Sequence, residues 1–142
     1  MVSKVVYTTQ AKATGGGRDG KSATLDGALA VTLAPPKELG GNGAGNNPEQ
    51  LIAVAYAGCY LGAMRFAAGS EKLGEVPAEA TVTSTVGMGP RDEGGFGLTI
   101  SLAVSMPGVD RAVAEKIMER GHFICPISNA FKNSLNVVTT LV

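Results

Sequence analysis

A run of about twenty residues that is apolar on every side is the hardest feature this sequence has to accommodate. Leu51 to Ala68 carries one charge, Arg65, and consists largely of alanine and glycine. Its start is well marked for a helix. Asn47 suits the N-cap, Pro48 the first helical position, Glu49 the positive end of the helix, and Gln50 stands three residues after the cap. Such a helix either crosses a membrane or is wrapped in protein. Alanine and glycine contribute little transfer free energy and no second candidate span exists, so a covered core helix is the better reading. The sheet that 142 residues can spare covers only one side of it. A second copy of the chain is the economical cover for the other, which predicts a homodimer. Gly58 and Gly62 are spaced to let two backbones approach closely.

The remaining elements follow from local pattern. Val2 to Ala13 reads as a strand, and Thr14 to Gly20 as a loop too glycine-rich for regular structure. Ser22 to Leu25 and Ala28 to Leu33 alternate around Asp26-Gly27, a tight-hairpin signature in which both central residues take positive φ. Ala80 to Met88 and Phe96 to Met106 form a second strand pair joined by Arg91 to Gly95. Asp110 caps an amphipathic helix to about His122, with Val113, Ile117 and Ile124 inward. Cys125-Pro126 then suggests an exposed bend, with Ser128 capping a short helical turn and Leu135 to Val142 a final strand. The order predicts an α+β fold, a mostly antiparallel sheet packed on the long buried central helix, in a single domain over residues 1–142.

Formal charge is zero and no basic run is long, which argues against nucleic acid or an anionic membrane as partner. Met1 to Tyr7 lacks the apolar core of an export signal, so the expected compartment is the cytoplasm. One histidine and two cysteines without a Cys-x-x-Cys pair argue against zinc. The glycine-rich stretches lack the lysine and strand–helix setting of a phosphate loop. Neither a zinc site nor a bound nucleotide is expected.

The two cysteines, Cys59 inside the apolar run and Cys125 before Pro126, leave three readings open: inert core residues, a structural disulfide, or a nucleophile and the thiol that resolves it. A nucleophile reacts as thiolate, and an apolar setting holds the proton on. Cys59 lies too deep in its helix to gain from the N-terminus, so a reactive Cys59 needs a cation brought to it. Arg18, on the glycine loop, is the best candidate, and Glu49 could orient it. Glu49 and Cys59 stand ten residues apart on one helix, about 15 Å. Either Arg18 spans that gap, or Arg18 and Glu49 of one subunit serve Cys59 of the other.

Several stretches carry a resemblance. Tyr7-Thr8-Thr9, Ala13 to Gly20 with Arg18 within it, Pro36 to Gly41, Asn47 to Leu51, Cys59 to Ala63, Gly94 to Leu98 and Cys125 to Ala130 are similar to successive segments of the organic hydroperoxide resistance (Ohr) proteins of the OsmC/Ohr family. The likeness covers essentially the whole chain. It implies an intertwined α+β homodimer and a cysteine-based peroxidase that reduces organic (alkyl or fatty-acid) hydroperoxides. In that scheme Cys59 attacks the peroxide, Cys125 resolves the sulfenic acid as a disulfide, and Arg18 with Glu49 activates Cys59. The resemblance implies no metal or organic cofactor, and a dihydrolipoyl group on a partner protein would be the reductant. The alternatives are an OsmC-type peroxidase of broader specificity, or a redox-sensing dimer that does not turn over. Ile127, Phe131 and Lys132 after the second cysteine, and Gly58 and Tyr60 around the first, depart from the usual motif and bear on pocket shape and docking.

Overall fold

The structure, a computed structural model, describes residues 2–142. It is a mixed α+β chain of six strands and three α-helices among those residues. The chain divides into two compact units, one up to Leu51 and one from Ile52 to Val142.

The first unit carries a three-stranded antiparallel sheet of β1 (Ala11–Gly15), β2 (Gly20–Thr24) and β3 (Ala30–Thr32), in that order. The glycine stretch expected as a loop is a tight hairpin whose outer glycines are paired strand residues, Gly15 opposite Gly20. Gly15 and Gly17 take φ of 73° and 71°, and a Cβ on Gly20 would strike the Thr14 carbonyl oxygen. Bare backbone is therefore what lets the two strands close so near their turn. In the second hairpin only Gly27 has positive φ, at 75°. The Asp26 carboxylate instead accepts from the Ala28 N–H at 3.0 Å, so one left-handed residue suffices. The strand expected from Val2 begins only at Ala11, because the residues before Gln10 have no strand partner within this unit. Val5, Val6 and Tyr7 are exposed.

Helix α1 (Pro48–Ser70) starts as its cap residues predict. Asn47 Oδ1 accepts from the Gln50 N–H at 2.9 Å, and Gln50 Oε1 accepts from the Asn47 N–H at 3.0 Å, a reciprocal capping box. Pro48 loses nothing there, since the first helical N–H has no intrahelical acceptor.

The second unit holds the core. β4 (Thr81–Pro90) and β5 (Phe96–Ser105) pair antiparallel with Val86 opposite Ile100, and β6 (Val138–Leu141) joins β5 in parallel. Helix α2 (Arg111–Ile124) is capped by Asp110, whose Oδ1 accepts from Ala112 and Val113 at 3.0 and 3.3 Å. A further helix, α3 (Pro126–Phe131), follows at once. Tyr56, Tyr60 and Met64 of α1 lie in the core with Leu102 and Val104 of β5, Ile117 of α2 and Cys125. At Gly121 the α2 backbone passes so near α1 that a Cβ would sit 2.7 Å from Met64 Cγ.

By length and composition α1 could cross a membrane, but Tyr56, Tyr60, Ala63, Met64, Ala67 and Ala68 seat one face of it in this core. Val54 and Phe66 remain 75% and 63% exposed, on the side for which a second copy was the expected cover. Two expectations change here. Cys125 is not an exposed bend but wholly buried. The cap of α3 is Cys125 rather than Ser128. Extended at ψ 118°, Cys125 leads into Pro126 at the first turn, and its Sγ accepts from the Ser128 N–H at 3.5 Å.

Candidate functional site

The two cysteines meet although 66 residues separate them, with Cys59 Sγ 3.3 Å from Cys125 Sγ. Both are free thiols, Cys59 partly exposed and Cys125 buried. The meeting follows from the fold: α1 presents Cys59 on the side that faces the α2–α3 junction, where Cys125 is the residue shared between helices. A structural pair of inert cysteines needs no such approach, whereas a disulfide needs only a small further closure, to about 2.05 Å.

The electrostatics of Cys59 within this unit favour the thiol. Burial pushes its pKa up, the hydrogen bond with Cys125 pushes the same way, and the Ile127 backbone N–H pulls it down. A nucleophile here still needs a positive charge.

In the first unit Arg18 and Glu49 form the pair that their residue types suggested. One guanidinium nitrogen of Arg18, Nη2, donates to both Glu49 oxygens at 2.8 and 2.7 Å. The Arg18 hydrogen bond holds the Glu49 carboxyl below its ordinary range, against the opposing effect of burial. Arg18 keeps 47% of its side chain exposed against 16% for Glu49. The glycine hairpin lifts the arginine, the first turn of α1 supplies the carboxylate, and the remaining guanidinium donors stay available for another anion.

Pattern reading missed a polar chain beside the thiols. Ser128 Oγ is 2.9 Å from Tyr56 Oη and 2.9 Å from His122 Nδ1, while His122 Nε2 is 2.8 Å from Thr139 Oγ1. Tyr60 donates to the Met118 carbonyl at 2.8 Å, and its ring lies 4.4 Å from that of His122. Burial raises both tyrosine pKa values and lowers that of His122, so all three stay neutral near pH 7. The available signal was spacing: Tyr56 precedes Cys59 by three residues and Ser128 follows Cys125 by three, each on the same helical face as its cysteine. His122, weighed only as a metal ligand, is part of this chain instead. Among the described residues no three His, Cys, Asp or Glu side chains gather as ligands for a metal ion.

The scaffold that carries these thiols is an α+β arrangement of three α-helices and two small sheets among the described residues, and sequence comparison gives its family. The chain belongs to the OsmC family, whose OsmC-like protein model matches residues 40–140. Within it the kinship is with the organic hydroperoxide resistance proteins. One from Xanthomonas axonopodis pv. citri is 44% identical over 139 residues, covering 97% of this chain and 96% of the relative. The crystal structure of an organic hydroperoxide resistance protein OsmC from Legionella pneumophila superposes with a TM-score of 0.90 at 39% identity, covering 97% of this chain and 98% of that one. That of OhrB from Bacillus subtilis gives 0.85 at 29% identity, covering 97% of this chain and all 100% of the other.

Proposed function

We propose that the protein is a thiol-dependent peroxidase that reduces organic (alkyl or fatty-acid) hydroperoxides to alcohols, with Cys59 as nucleophile and Cys125 as resolving thiol. The observation that carries this reading is the 3.3 Å approach of two free sulfurs, one reachable and one buried. The Cys59 thiolate attacks the distal peroxide oxygen, breaking the O–O bond. The alkoxide leaves and takes up a proton to become the alcohol, while the sulfur becomes a sulfenic acid. The Cys125 thiol then displaces that hydroxyl, which departs as water with the thiol proton, and a disulfide remains. A dihydrolipoyl dithiol on a partner protein supplies two electrons by exchange, forming a mixed disulfide and then its own cyclic disulfide. The dithiol is an external reductant, and no resident cofactor or metal enters the scheme.

Because burial works against ionisation of Cys59, the reading requires a cation there. Arg18, oriented by Glu49, is that cation, and in the proposed homodimer it serves Cys59 of its own or of the other subunit. Exposed apolar residues support a second copy: Val54 and Phe66 on α1, and Val5, Val6 and Tyr7 ahead of β1. The long alkyl part of an organic peroxide would add binding free energy that hydrogen peroxide lacks, roughly 0.8 kcal/mol per buried methylene. The cycle belongs in the reducing cytoplasm, where a resting dithiol persists.

Consumption of cumene hydroperoxide with dihydrolipoamide tests the proposal. Multiple turnover is expected, and Cys59→Ser should abolish it. A Cys59→Ser protein that consumes peroxide at the original rate ends the assignment. The raised pKa of Cys59 within its own unit favours one second reading, a redox-sensing dimer that oxidises slowly and stops. A single equivalent of peroxide consumed, without turnover, would select it.

A further inference from the structure

The buried serine and tyrosine and the half-buried histidine beside the thiols have no part in the cycle above. Their placement is specific. Tyr56···Ser128 at 2.9 Å and Cys59···Cys125 at 3.3 Å are two successive rungs between α1 and the segment formed by α3 and its N-cap, each rung three residues from the next along either side. Among the described residues Ser128 is the one buried residue of the polar and charged types, and it receives α1 through Tyr56 and α2 through His122. His122 is in turn tied to β6 through Thr139. The short α3 has a second anchor, since Asn129 Nδ2 donates to the carbonyls of Phe123 and Cys125 at 2.9 and 3.1 Å.

A six-residue helix has little stability of its own, so its position is set by such contacts. A neutral imidazole has one donor and one acceptor nitrogen, which the two hydroxyls of Ser128 and Thr139 satisfy together. Removing the Ser128 hydroxyl leaves Tyr56 Oη and His122 Nδ1 facing each other without their shared partner. That cost falls on the first turn of α3, whose N-cap is the Cys125 sulfur.

We propose that Tyr56, Ser128 and His122 form a clamp that positions Cys125 against Cys59, setting how readily the disulfide closes. They are positioning residues and do not touch the peroxide. The inference rests on the dithiol being the redox centre of the proposed function, but its test needs no peroxidase activity.

The reduced protein is equilibrated with glutathione redox buffers, where oxidised glutathione and the dithiol yield the protein disulfide and two glutathione thiols. The Cys59–Cys125 equilibrium constant is then read by alkylation and mass spectrometry. For Ser128→Ala we expect the constant to fall about tenfold, a potential about 30 mV more oxidising. Tyr56→Phe should shift it in the same direction, and Ser128→Thr, which keeps the hydroxyl, should restore most of the loss. Glu71→Gln, which breaks the remote pair with Arg120, is the control for general destabilisation and should leave the constant unchanged. An unchanged constant in both Ser128→Ala and Tyr56→Phe overturns the clamp. So does an equal shift in Glu71→Gln, which would reduce the residues to ordinary fold support. Failure of the wild type to consume peroxide while these shifts hold would instead remove the peroxidase reading and leave the clamp standing.

Discussion

The two units of this chain hold their candidate site pairs under opposite conditions. Up to Leu51 the charged pair sits on thin scaffolding: β1 is exposed along its whole length, and among the described residues only Leu33 and Ala34 are buried. From Ile52 onward the thiol pair sits at the edge of a core whose largest members, Tyr56, Tyr60 and Met64, are sealed completely. Charge costs least where water still reaches it, and a pair of sulfurs keeps its separation best where packing leaves no slack. The contrast implies that substitutions of the sealed core residues of the second unit should appear as lost stability, and those at the ion pair as lost reactivity.

The largest break should come from Tyr60→Ala. It removes a buried ring, its bond to the Met118 carbonyl and its stacking on His122, and should cost about 3–5 kcal/mol in urea denaturation. A loss below about 1 kcal/mol would show the core to be far more plastic than its packing implies. Gly121→Ala comes next at about 1–3 kcal/mol, because Met64 and Tyr60 must both shift for the new methyl. Arg18→Ala should separate the two regions most cleanly. Stability should change by less than about 1 kcal/mol, because the pair is partly solvated. Peroxide reduction should fall at least about tenfold, equivalent to 1.4 kcal/mol, and iodoacetamide alkylation of Cys59 should move to higher pH. An unmoved alkylation profile would refute the activating role.

The smallest effect is an acid one. The Glu49 carboxyl is depressed below its ordinary 4.5 by Arg18, so its contribution is complete above that value and disappears as pH falls through the lower native one. Glu49→Gln should flatten that part of the stability–pH curve, lowering stability at neutral pH by less than about 1 kcal/mol and leaving the acid end unchanged.

Much of this fold was legible locally. The capping box at Asn47 and Gln50, the Asp110 cap and the β4–β5 hairpin all depend on neighbours in sequence, and all appear as expected. Arg18 and Glu49 were legible as partners because a guanidinium on a glycine turn and a first-turn carboxylate are chemically complementary. What escaped was set by packing between distant segments. Nothing near Cys125 signals that it is sealed, and the spacing of Ser128 from Cys125 puts the two on one face without naming Tyr56, 72 residues away, as the partner. The length of the expected N-terminal strand failed for a related reason: β-branched residues favour extended backbone, but a strand exists only where a neighbour accepts its hydrogen bonds.

The meeting of Cys59 and Cys125 across 66 residues has a thermal corollary. Joining them covalently would close a ring of nearly half the chain and deny the denatured ensemble conformations worth about 4 kcal/mol at 25 °C. The melting temperature would then act as a gauge of electron count: a sample that has just met its oxidant melts late, and one recharged by a dithiol melts early.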